Sequence, residues 1–143
     1  MLSEVGNRCE AMEECYEFML AYAAQGLRTD EGSKSGGQVR EFLQRAVKAL
    51  TGLAEVCTVA VREEGLEPAE KYAAFLAVLD RDSRDSLAAM ELVLAQPAIS
   101  SQLIDNLNAS IHLRALLTDL FLLDEIRKKP CKPAEQFVTD KGD

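Results

Sequence analysis

The side chains of this chain best suited to chemistry crowd into one stretch. His112 is the sole histidine, and Arg114 follows it inside the apolar run Leu103 to Ile126, LIDNLNASIHLRALLTDLFLLDEI. An imidazole titrates near neutrality and can carry a proton, a metal or a phosphoryl group. A guanidinium keeps its charge, so a buried one needs a carboxylate or several acceptors around it. On a helical wheel drawn through the whole run, Arg114 falls among Leu103, Leu107, Ser110, Leu117 and Phe121. That face is expected to point at a core, which puts His112 outward with Asp105 and Asp119.

Two serines, Ser83 and Ser86, interrupt the apolar seam of the preceding helical segment, beside Asp82. If that segment runs antiparallel to the last one, their midpoints lie level, and Arg114 and Ser110 come to face Asp82, Ser83 and Ser86. Two breaks in apolar patterning at one level read as a single polar layer. Such a layer either fixes helix register or lines a small-ligand site. Leu113, Leu116, Leu120 and Leu123 lie away from the face of Arg114, more apolar surface than one core covers easily. They are expected to form the interface of a two-fold homodimer.

Residues Leu113-Arg114-Ala115-Leu116-Leu117-Thr118 resemble the box that follows the phosphorylated histidine in sensor-kinase dimerisation helices. Histidine phosphotransfer domains are likewise four-helix bundles with one exposed histidine, and the resemblance implies His112 as a phosphoacceptor. The pattern departs in two places. His112 abuts Leu113 directly, where the kinase box interposes an acidic residue. Ala115 and Leu116 stand where phosphotransfer domains carry lysine and glycine.

Other chemistries lack their residues. A di-iron bundle site needs two Glu-x-x-His pairs, but the residue three before His112 is Ala109 and no second histidine exists. No metal centre and no cofactor are expected. Glu10, Glu13, Glu14 and Glu17 read as a solvated face. Cys9, Cys15, Cys57 and Cys131 form no CxxC pair, with Cys15 off the helical seam and Cys131 near the end beside Lys132. No Ser-His-Asp set, phosphate-binding loop or dinucleotide fingerprint appears, so no enzymatic activity is expected. A net charge of −8 repels phosphate backbones and argues against nucleic acid. No apolar run is long enough for a bilayer, and the N-terminus lacks the basic and apolar parts of a signal peptide. A soluble, cytoplasmic protein with reduced cysteines, without a membrane partner, is the expectation.

The elements that must position these residues follow from periodicity. At 143 residues the chain is one domain with 48% apolar residues and no tryptophan. The first helix is predicted from about Ser3 to Gln25, stopped by Gly26, and the glycine-rich stretch after it reads as a mobile loop. Ser35 and Gln38 resemble a capping box opening a second helix that runs to Glu64, with Val39, Leu43, Ala46, Leu50, Leu53, Cys57 and Ala60 as its seam. A third helix spans Pro68 to Ala95, with seam residues Tyr72, Leu76, Leu79, Ser83, Ser86, Met90 and Val93. The fourth runs from Ser100 or Ser101 to Lys129, where Pro130 and Pro133 end it.

Together these elements predict an all-α fold, an antiparallel four-helix bundle in up-down-up-down order over residues 1–130, with a polar, frayed tail over 131–143. The functional expectation is a protein-binding module, such as an adaptor, chaperone or regulatory subunit, that self-associates through its last helix. Phosphotransfer through His112 and small-ligand sensing at the polar layer are the alternatives.

Overall fold

The computed structural model describes residues 2–128, which form helices and no strand among those residues. The helices are α1 (Leu2–Ala23), α2 (Lys34–Leu50), α3 (Leu53–Glu63), α4 (Ala69–Leu94), α5 (Ser101–Ala109) and α6 (Ile111–Lys128). The protein is all-α, and two of the long helices expected from periodicity are each broken in the middle. Cys131 and the tail lie outside the described residues.

The first break divides the expected second helix at Thr51 and Gly52. Gly52 is left-handed, with φ 74°, a conformation that glycine adopts without the steric cost other residues meet. Arg8 of α1 closes the exposed end of α2. Its guanidinium donates to the carbonyls of Ala49 at 3.0 Å and Thr51 at 2.6 Å, while Glu4 holds it at 3.0 Å. The interruption leaves the seam intact, since Val39, Leu43, Ala46, Leu50, Leu53, Cys57 and Ala60 are all buried.

The second break falls at Ser110. Its ψ of 150° leaves the helix, and its hydroxyl accepts from the Leu113 amide at 3.3 Å, which opens α6 as a new helix. Ser100 caps α5 in the same way. Between the breaks α4 is continuous, and Leu76, Leu79, Ser83, Ser86, Met90 and Val93 line its buried side. It packs on α2, α3, α5 and α6, while α1 packs on α2, α3 and α5. Met12, Met19 and Tyr22 of α1 therefore meet Leu43, Leu79, Met90, Ile104 and Leu116 in one core. No helix among the described residues is long and apolar enough to cross a membrane.

The connection between α1 and α2, expected to be mobile, is instead pinned. The Asp30 carboxylate accepts from Arg40 at 2.8 Å and from the Ile99 amide at 2.8 Å. The same guanidinium donates to the carbonyls of Leu94 and Gln96, satisfying the end of α4. Tyr22 donates to the Ile99 carbonyl at 2.7 Å, and Ser101 donates to the Tyr22 carbonyl at 2.6 Å. The cap of α2 is Ser33, whose hydroxyl accepts from the Gly36 amide, rather than Ser35. Gly36 is required there because a Cβ would collide with the backbone of Asp30.

Candidate functional site

A layer of polar groups lies between α4 and α6, and its members differ from the expected set of Arg114, Ser110, Asp82, Ser83 and Ser86. Ser83 and Ser86 are buried on α4, and Ser86 donates to the His112 carbonyl of α6 at 3.0 Å. The residue that meets Asp82 is Asp119, which is only 7% exposed. Its Oδ2 and the Ser83 hydroxyl are both buried without a hydrogen-bond partner. Burial, then the hydrogen bond and the negative charge of Asp82, push the Asp119 carboxyl up to about 7. Two carboxyl groups brought together out of water cannot both ionise cheaply.

Arg114 is absent from this layer. It is exposed, and the expected inward placement is corrected. The physical reason is the break at Ser110. A wheel phased on Leu103 and Leu107 does not carry across a residue with extended backbone, so α6 begins with its own rotation. Ser110 serves as the cap of that helix and takes no part in the layer. The same rotation corrects the proposed dimer face. Leu113, Leu116 and Leu120 are core residues, 1%, 0% and 6% exposed, and Leu123 is half-buried against them. Asp119, expected outward, shares their side.

His112 is exposed at the start of α6, as the wheel indicated. The residues after it that resemble the kinase box, Leu113, Leu116 and Leu117, are committed to the core. Cys15, expected off the seam, is fully buried, and burial pushes its thiol up to about 12, partly opposed by the charge of Arg45. It has no nucleophilic character at neutral pH. Among the described residues no group of three or more histidine, cysteine or acidic side chains is arranged to hold a metal ion.

The outward side of α6 instead borders a groove of about 350 Å³ shared with α1 and α5. Tyr16, Leu20, Leu117 and Phe121 supply its apolar wall, with Leu20 49% and Phe121 53% exposed. Arg114, Asp105, Asn108 and Thr118 supply its polar groups. The Asn108 Oδ1 is buried and unpartnered. Arg114 and Asp105 line the same groove, and neither forms an ion pair among the described residues. A groove with apolar walls and one unpaired charge of each sign is suited to bind a polypeptide surface.

Comparison with protein-family models, curated proteins and solved structures returned no match to this chain. Geometry and chemistry therefore carry the functional reading.

The wheel placed Arg114 with Leu117 and Phe121, and those three residues do line one groove. Asp119 was missed as a site residue. The available signal was its position among Leu113, Leu116, Leu120 and Leu123, the densest leucine stripe in the chain.

Proposed function

We propose that this protein is a non-catalytic helical interaction module that binds protein through the groove between α1 and the α5–α6 arm. Its four helical arms, two of them broken, are read as an antiparallel up-down-up-down bundle that presents this groove. The occupant is a second copy of the chain. The observation that carries this reading is the unpaired Arg114 and Asp105 in one apolar-walled groove. A two-fold interface repeats each contact with the roles exchanged, so a pairing of Arg114 with Asp105 of the other copy would occur twice. Leu20 and Phe121, half exposed within each copy, supply the apolar contact. Self-association thus uses the last helix, through the side opposite its leucine stripe.

The test is sedimentation equilibrium at micromolar concentration. Wild type is expected to be a dimer and Phe121→Asp a monomer that remains helical. Arg114→Asp and Asp105→Arg alone should each weaken the dimer, and the double exchange should restore it. A monomeric wild type, or a double exchange no better than the single ones, overturns the pairing.

A further inference from the structure

We propose that Asp82 of α4 and Asp119 of α6 form a proton-binding site, in which one acidic hydrogen held between the two carboxyl groups ties α6 to α4. The geometry supplies the argument. Asp119 is buried, its carboxyl lies within hydrogen-bonding reach of Asp82, and its Oδ2 accepts from no donor. Ionised carboxylates only accept, so two of them side by side have nothing to exchange. A single proton converts one into a donor, and the contact becomes a charge-assisted hydrogen bond. Neither buried serine of α4 supplies a donor, since the Ser83 hydroxyl makes no hydrogen bond and the hydrogen of Ser86 goes to the His112 carbonyl.

Among the described residues no cation takes the place of the proton. On α4, Arg81 and Arg84 are exposed, and Arg84 pairs with Asp80. The charged residue of α5 is Asp105, which lines the groove beside Arg114. Toward α1 and α3 the charged groups along α6 are Glu10, Glu13 and Glu64, all acidic, together with Asp124 of α6 itself. His112 lies two turns before Asp119 and is exposed. Burial and Asp82 are the influences that act on Asp119, and both favour its protonated form.

The direction of the pH dependence follows. The folded carboxyl binds its proton more tightly than the ordinary aspartate of an unfolded chain. The stabilisation is therefore complete below the ordinary aspartate value of about 4 and is lost as pH rises toward about 7. Because α6 also carries Arg114 and Phe121, the same proton governs how firmly the groove is held. That consequence rests on the dimer reading, whereas the proton site does not.

The experiment compares thermal unfolding of the full chain at pH 5 and pH 8, with Asp119→Asn and Asp82→Asn alongside. Wild type is expected to melt lower at pH 8, by on the order of 5 °C beyond any change in the variants. Asp119→Asn should lose most of that difference, and Asp82→Asn the share that the neighbouring carboxylate adds to burial. Variants that follow the wild-type profile overturn the site. Carbon-13 titration of the aspartate carboxyls in wild type tests it without substitution, and an Asp119 midpoint near 4 overturns it. Stabilisation of wild type at pH 8 by millimolar magnesium or calcium, absent from Asp119→Asn, also overturns it, since the pair then holds a cation. The same readings repeated in the Phe121→Asp background, which lacks the proposed dimer contact, stand whichever way the sedimentation result falls.

Discussion

Asp30 and Asp119 are both largely buried aspartates, and their surroundings push them in opposite directions. For Asp30, burial by itself raises the carboxyl. The hydrogen bonds from Arg40 and the Ile99 amide, with the charge of Arg40, outweigh it and hold the group below the ordinary range. Its stabilisation is present above the ordinary aspartate value and is lost as pH falls through the lower folded one. Asp30→Ala is expected to cost about 2–3 kcal/mol in urea denaturation at pH 7, because it strands a partly buried guanidinium and an amide. That cost should shrink at pH 3. Asp119 titrates with the reverse sign because burial raises its carboxyl and its anionic neighbour adds to that instead of opposing it. The serine at seam position 83 and the aspartate at 82 were visible in the sequence as irregularities. The identity of the group facing them was not, since it depends on the rotation of another helix.

At the scale of elements, the breaks decide more than the helices do. The seam from Val39 to Ala60 and that from Leu76 to Val93 were legible because a helix repeats its direction every 3.6 residues. The breaks at Gly52 and Ser110 were not, since the apolar periodicity continues across both. Gly36 shows how an element start is dictated from outside. Gly36→Ala is expected to cost about 1–3 kcal/mol by thermal melting, since its Cβ would strike the Asp30 backbone. Gly37→Ala meets nothing within 4 Å and should be neutral or stabilising by up to about 1 kcal/mol through helix propensity. Equal effects of the two substitutions would mean that the loop does not press on the start of α2. The loop looked mobile because its composition is polar. Its partner Ile99 lies 69 residues away, outside the reach of any local pattern.

For the whole molecule, charge sets the terms of association. In the proposed dimer each copy would carry −8, so two copies would repel at long range, whereas the exchanged Arg114–Asp105 pairs would contribute about 0–1 kcal/mol each as surface pairs. The screening length falls from about 30 Å at 0.01 M salt to about 8 Å at 0.15 M. Added salt is therefore expected to strengthen the dimer, read as a falling Kd in sedimentation velocity. A Kd that rises with salt would assign the ion pairs, rather than the apolar contact of Phe121 and Leu20, the larger share.

Composition and periodicity alone determined that this chain is helical, where the seams from Val39 to Ala60 and from Leu76 to Val93 run, and that Ser83 and Ser86 break the second. These are local properties, repeated within each rigid helix and readable wherever the helix is unbroken. Only the tertiary structure decided that Arg114 faces out, that Asp119 faces in, and that Leu113, Leu116 and Leu120 belong to the core. A single extended residue at Ser110 inserts a rotation between α5 and α6 that no wheel can supply. Packing against α4 goes with that rotation, and with it which carboxyl meets Asp82 and which charges stay exposed.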